Sequence, residues 1–295
     1  MAGARPEQCI RSSGLTWMLR FQSLSARPWL SAVLLSAVAA ACVHLRKAYA
    51  TTPLARRVAL ACEPCPSESE VGKPLLVRML REAEFLLEPL RKPFRKLDII
   101  QTCNPQTVMI MPGFAAHPVR MRYLASQLEA AGHCTRRWGL GFNWGPDEVR
   151  FERLAKRLGE IHARRGQKVV LVGWSLGGLF AREVAKRRPD AVAKVITMGS
   201  PFSGSPRANN LWRLYQFLTG HPVDAPPVDV ELAVKPPVET VALWSAQDAV
   251  VAPRCAAGWA GERDRAIALR CTHMGFSYDA EVIQTLLEEL EITRD

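Results

Sequence analysis

Acidic residues are almost missing from the first sixty positions of this 295-residue chain. Glu7 stands alone there against eight Lys and Arg between Met1 and Ala61, which places +7 of the formal +11 net charge in that stretch. Residues 101–295 are nearly balanced, with 24 basic and 20 acidic groups, so the excess charge does not belong to the body of the protein. No basic stripe interleaved with aromatics is present, which argues against nucleic-acid binding. The eight cysteines, at 9, 42, 62, 65, 103, 134, 255 and 271, lie scattered through a chain too long for a disulfide scaffold. Cys62-Glu-Pro-Cys65 has the spacing of half a metal site, but no second Cys or His pair follows at a suitable distance, so no metal is expected. Cys255 and Cys271 flank one segment and could pair in an exported protein.

One long apolar run is present. Trp29 to Leu45, WLSAVLLSAVAAACVHL, carries no charge. As a helix its seventeen residues rise about 25 Å, the lower edge of what spans a bilayer. Basic residues on both sides leave its orientation open. Three readings stand. The run is a single-pass N-terminal anchor that makes the protein membrane-associated; or it is an export signal, with Arg20 and Arg27 ahead of it and Ala48-Tyr49-Ala50 behind; or the frame is opened too early, Met18 or Met79 is the true start, and the protein is cytoplasmic. The export reading has His44, Arg46 and Lys47 intruding before the cleavage site. Residues 1–65 are thus an N-terminal extension. Residues 66–104 follow as an amphipathic helical segment. In it Leu75, Leu76, Met79, Leu80, Leu86, Leu87 and Leu90 share one broad helical face, with Arg78, Arg81, Glu82 and Glu88 elsewhere on the wheel and Pro89 and Pro93 ending or kinking it. That face either packs on the flank of the domain or lies in a lipid interface, with Arg91 to Lys96 against anionic head groups.

From Thr107 onward apolar, β-prone runs alternate with amphipathic segments of helix length. Strands are expected at 107–111, 134–138, 168–173, 194–198, 238–244 and 266–270, and helices at 119–131, 147–164, 176–188 and 278–290. Strands apolar throughout, rather than alternating, indicate a parallel sheet covered on both faces. The fold class is therefore α/β: a doubly wound, mostly parallel sheet spanning residues 105–295. The rhythm breaks between Phe202 and Pro237, where six prolines surround a short helical piece at 211–218. An insertion after a strand's C-terminal end overhangs the site, so residues 202–237 read as a lid.

The central motif is Gly173-Trp174-Ser175-Leu176-Gly177, G-x-S-x-G, entered from a buried strand and left at once by a helix. Such a tight turn strains the serine backbone, and glycines at both flanks remove the Cβ atoms that would clash. The strain exposes the Ser175 hydroxyl above the positive end of the next helix. This segment, the chain order Ser–Asp–His and the periodicity from about 105 to 293 resemble the α/β-hydrolase superfamily, on its lipase and esterase side. The resemblance implies a serine hydrolase with no cofactor and with an oxyanion hole of two backbone N–H groups. One is that of Leu176. The other comes from Pro112-Gly113-Phe114-Ala115, with Phe114 chosen, although relatives carry His-Gly where this chain has Pro112-Gly113. Thr197-Met198-Gly199-Ser200-Pro201 is similar to the T-x-G-[ST]-P segment of lipases. His117, which follows the oxyanion loop, and Trp174, which packs beneath the turn, are the substrate-contact candidates.

A serine hydroxyl needs a base within reach. Of the six histidines, His273 lies on the loop between the last strand and the last helix, where the family's base sits, with His117 as competitor. Asp248, just past the end of the fifth strand, resembles the family's acid and would hold the His273 tautomer; Asp224 and Asp229 are the alternatives. The expected catalytic set is Ser175, Asp248 and His273, cleaving a small-molecule or lipid carboxylic ester through an acyl-enzyme. Acyl transfer on the same triad and a non-catalytic binding scaffold are the other functions the residues allow.

Overall fold

The computed structural model describes residues 53–64, 72–88 and 97–292. The apolar run 29–45, Cys65 and the basic run 91–96 lie outside the described residues. The chain divides into two units, 1–56 and 57–295; of the first, only the opening turn of helix α1 (Pro53–Ala61) is described. Among the described residues no helix is long and apolar enough to cross a membrane.

Six strands form one sheet: β1 (Thr107–Met111), β2 (Cys134–Arg137), β3 (Val169–Trp174), β4 (Val192–Met198), β5 (Glu239–Ser245) and β6 (Arg265–Leu269). Their order is β2-β1-β3-β4-β5-β6 and every pairing is parallel. The helices are α2 (Met79–Glu82), α3 (Arg122–Ala130), α4 (Glu148–Arg165), α5 (Leu176–Arg187), α6 (Trp212–Thr219), α7 (Pro253–Ala257) and α8 (Ala280–Glu291). Strands and long helices fall within a few residues of the expected bounds. This is the α/β-hydrolase architecture.

Period-2 alternation explains why both faces are covered. Val108, Ile110, Val170, Val172 and Trp174 point to one core, closed by α3 and α8; Met109, Met111, Val169 and Leu171 point to the other, closed by α4 and α5. Leu124, Leu128, Val282, Ile283 and Leu286 on the first side are fully shielded, as are Leu154, Leu158, Ala181 and Val184 on the second. Buried lysine is the exception. Lys194 of β4 donates to the carbonyls of Glu289 (2.7 Å) and Ile292 (2.8 Å) and pairs with Glu239 at 3.4 Å, which ties the end of α8 to the sheet.

The chain leaves β1 outward to β2, recrosses to β3 and then advances toward β6. The C-terminal ends of β1 and β3 therefore flank the point where the winding reverses, the place where open α/β sheets bind ligands. Segment 202–237 is irregular except for α6, and it roofs this point. Arg182, 1% exposed on α5, donates to the carbonyls of Leu232, Ala233 and Val234, fixing the end of the roof, while its guanidinium lies 4.1 Å above the Phe202 ring.

Segment 72–88 departs from the amphipathic expectation. It is a 3-10 turn (Leu76–Arg78), the single α-turn α2, and a second 3-10 stretch (Ala83–Leu87). Leu75, Leu76, Leu80, Leu86 and Leu87 are exposed, whereas Glu82 is 4% exposed. Three residues per turn on either side of a four-residue α-turn rotate the side chains off a regular 3.6-residue wheel. Inward turn the Glu82 carboxylate, which accepts three N–H groups, and Met79, which packs half-buried on the cluster of Val250 and Val251.

Candidate active site

β3 ends on Trp174 and α5 begins on Leu176, so Ser175 alone makes the turn. Its backbone sits at φ 53°, ψ −122°, a region that non-glycine residues rarely occupy. The neighbouring glycines make the turn sterically achievable. A Cβ on Gly173 would lie 2.4 Å from the Gly177 carbonyl oxygen, and one on Gly177 would lie 2.4 Å from that of Met111. Ser175 is half-buried.

Asp248 and His273 arrive from the ends of β5 and β6 and meet. His273 Nδ1 and Asp248 Oδ2 are 2.8 Å apart, with the side chains 2% and 1% exposed. The other oxygen, Oδ1, accepts the N–H groups of Val250 and Val251, both at 2.8 Å, which aims the carboxylate. Burial lowers the His273 pKa, but the charge of Asp248, its hydrogen bond and the charge of Glu82 outweigh it, and the imidazole is held above its ordinary value. Among the described residues no hydrogen bond joins the Ser175 hydroxyl to His273; such bonds commonly tighten only when substrate is bound. The alternatives for the acid are engaged elsewhere or remote: Asp224 pairs with Arg207, and Asp229 is exposed.

Trp174 donates its indole N–H to the His273 carbonyl at 3.0 Å, and the two rings lie 5.6 Å apart. It supports the base loop from below and does not line the cavity at Ser175. His117 does not line it either. Its ring accepts the Val119 N–H at the start of a 3-10 turn and packs on Phe142.

The loop after β1 carries a second strained residue, Ala115, at φ 53°. Its N–H donates to the Asn143 carbonyl at 2.7 Å, and the Asn143 side chain donates back to the Pro112 carbonyl at 2.8 Å. Asn143 is fully buried and clamps the loop so that Phe114 borders the same cavity as Ser175 and Leu176. As the first residue of α5, Leu176 has an N–H with no acceptor inside the helix. Asn143 and Glu82 are the residues that sequence reasoning missed. Asn143 lies in an aromatic-rich loop with no motif around it, and Glu82 falls away from the leucine face of the expected helix.

The cavity beside Ser175 has a volume of about 110 Å³ and is roofed by segment 202–237 through residues such as Leu211, Trp212 and Val230. Its floor includes Phe151, Leu179 and Phe180. Polar side chains are few: Ser175, Glu183, Asn209, Tyr215 and the Trp212 indole. Arg187 neutralises Glu183 at 3.1 Å, and burial pushes the Tyr215 phenol up to about 12. Cys255 and Cys271 are both buried, unpaired thiols, and burial raises the pKa of each. Among the described residues no group of three His, Cys, Asp or Glu is placed to hold a metal.

The family model described as the alpha/beta hydrolase fold matches residues 106–222. Solved structures similar to this chain include a monoacylglycerol lipase from Paleococcus ferrophilus, 19% identical over 65% of this chain and 96% of that one, with a TM-score of 0.45. A structure of the metagenome-derived lipolytic enzymes LipS and LipT is 15% identical over 66% and 99%, at 0.49. The type II thioesterase BorB from the borrelidin biosynthetic cluster is 16% identical over 66% and 95%, at 0.45.

Proposed function

Since the chain is a member of the α/β-hydrolase superfamily, we propose that it is a serine hydrolase that cleaves carboxylic esters carrying an apolar acyl group. The observation that carries this reading is the juxtaposition of a strained, half-buried Ser175 with an apolar cavity on one side and a buried His273–Asp248 pair at the neighbouring strand ends.

In this mechanism Asp248 accepts a hydrogen bond from His273 Nδ1–H, which keeps the proton on Nδ1 and leaves Nε2 unprotonated and free to act as base. Ser175 Oγ attacks the ester carbonyl carbon, and its proton passes to Nε2. Negative charge collects on the carbonyl oxygen, within reach of the N–H groups of Phe114 and Leu176, each such donor supplying about 3 kcal/mol at the transition state. The C–O bond to the alcohol breaks, and the alcohol leaves with the proton from Nε2. Water then attacks the acyl-enzyme, giving its proton to Nε2, and the carboxylic acid departs as Ser175 recovers its own. The acyl chain lies in the cavity under α6, where a neutralised Glu183 and a neutral Tyr215 present little charge to it.

A fluorophosphonate probe tests the assignment. Wild type should be labelled and Ser175→Ala should not, with hydrolysis of p-nitrophenyl esters lost in parallel. Well-folded wild type that resists the probe, or a Ser175→Ala variant that still hydrolyses esters, rules it out. A chain-length series from acetate to decanoate reads the cavity: kcat/KM should rise with the first several methylenes.

A further inference from the structure

Glu82 lies outside the α/β body, on the one-turn helix α2, yet its carboxylate is buried against two loops more than 160 residues away. Oε1 accepts the N–H of Ala249 at 3.1 Å and of His273 at 2.9 Å, and Oε2 accepts the N–H of Met274 at 2.8 Å. Ala249 directly follows the acid, Asp248; His273 is the base itself. One carboxylate thus spans the loop after β5 and the loop after β6, which the His273–Asp248 bond also joins. The surrounding segment is held to the same rim. Asn210 donates to the Pro74 carbonyl at 3.0 Å, Arg78 to the Ala246 carbonyl at 3.2 Å and Arg81 to Gln247 at 3.3 Å.

A buried carboxylate that accepts three N–H groups is strongly directional, because each bond is charge-assisted. Burying it in a one-turn helix is costly unless the bonds are made. The leucines around it are exposed, and apolar docking of α2 is limited to Met79, which packs half-buried against the cluster of Val250 and Val251. The charged groups facing the His273 imidazole are Asp248 from the loop after β5 and Glu82 from α2, both anionic and both favouring the imidazolium.

We propose that Glu82 is a positioning residue for the reaction: it locks the acid loop to the base loop, so that segment 72–88 completes the active site from outside the hydrolase body. The proposal rests on the reading of Asp248 and His273 as acid and base. A Glu82→Gln substitution keeps the shape but removes the charge and turns an NH2 group toward a backbone N–H. The loops then separate at Met274 or Ala249, and a displacement of the base near 1 Å lowers turnover about 10²-fold. Glu82 itself does not line the cavity beside Ser175, so KM should stay within about twofold.

The test uses the full chain with Glu82→Gln and Glu82→Asp, read by kcat and KM on a p-nitrophenyl ester, by the pH profile and by NMR titration of the His273 imidazole. Glu82→Gln should lose kcat rather than KM, and its acid limb and its His273 titration should both move to lower pH. Glu82→Asp keeps the charge on a shorter arm, so kcat should fall while the acid limb stays near that of wild type. A folded Glu82→Gln or Glu82→Asp protein with wild-type kcat and an unmoved His273 titration overturns the proposal, whatever happens to Tm. The NMR readout needs no turnover. If it shifts as expected while Ser175→Ala remains active, the esterase reading fails and the role of Glu82 in setting the pair stands.

Discussion

Replacing Asp248 with asparagine puts the acid's role to a sharp test, because its surroundings dictate which way the new amide must face. In wild type, Oδ1 accepts two N–H groups, from Val250 and Val251, and Oδ2 faces His273 Nδ1, all at 2.8 Å. An amide with its oxygen at the Oδ1 position keeps both backbone bonds and points its NH2 at Nδ1. The reverse orientation keeps the bond to histidine but sets NH2 against two N–H donors. At about 1 kcal/mol for each net hydrogen bond, and more for an unsatisfied buried donor, the first orientation is favoured by about 2 kcal/mol, roughly thirtyfold. Nδ1 must then accept, the proton moves to Nε2, and the imidazole no longer takes the Ser175 proton. The expected loss in kcat is about 10⁴-fold, or about 5.4 kcal/mol of barrier, with KM little changed. Stopped-flow hydrolysis of a p-nitrophenyl ester measures it, and the rate of fluorophosphonate labelling should fall in parallel since both reactions use the same base. An Asp248→Asn rate within tenfold of wild type, in a protein with unchanged circular dichroism, would refute the reasoning.

The raised His273 pKa puts the acid limb of the kcat/KM profile above the ordinary histidine value of about 6.5; a limb centred below that value contradicts the charge balance described. For stability the sign follows from the same shift. A group whose folded pKa is raised contributes fully below its unfolded pKa and loses the contribution as pH rises through the folded value. The Tm gap between wild type and His273→Gln should therefore narrow from pH 5 to pH 9, and a gap that widens refutes it. Gly177→Ala would drive a methyl to 2.4 Å from the Met111 carbonyl oxygen and 2.7 Å from that of Pro112. Overpacking of this kind costs about 1–3 kcal/mol and displaces the loop carrying Phe114, so Tm and labelling should both fall. Lys194→Met leaves Glu239 and Glu289 with Arg265 alone and removes the two carbonyl bonds to α8. Urea denaturation should show a loss of about 3–5 kcal/mol, and a loss under 1 kcal/mol means the pair is compensated.

What the sequence disclosed followed from where the information is local. Val169 to Trp174 is apolar on both faces, and only a strand buried between helix layers tolerates that, so β3 and its sheet were legible. The turn at Ser175 was legible because Gly173 and Gly177 sit where any Cβ would meet backbone. Placement of Asp248 and His273 at successive strand ends followed from counting βα units, since each parallel strand delivers its C-terminal loop to the same edge. Their contact distance did not follow, because it is set by the Val250 and Val251 amides that aim the carboxylate. The helix types of segment 72–88 were not legible, because a wheel assumes one constant rotation per residue and the run passes from 3-10 to α and back within twelve residues.

Glu82 marks the limit of local reasoning most clearly. A glutamate among leucines and arginines reads as solvent-facing, and nothing nearby in the chain contradicts that. Its burial is decided by three N–H groups on loops 167 to 192 residues downstream. The loops around Asp248 and His273 have their own reasons to bend, yet the bends leave those donors pointing at one spot, and a buried N–H without an acceptor costs about 1–3 kcal/mol. A carboxylate supplied from a separate segment satisfies all three at once. The leucines of that segment remain exposed, while the Glu82 carboxylate and the Met79 side chain are the groups of α2 that turn inward. Segment 72–88, which lies outside the sheet and its covering helices, is therefore placed to hold the acid and base loops in register.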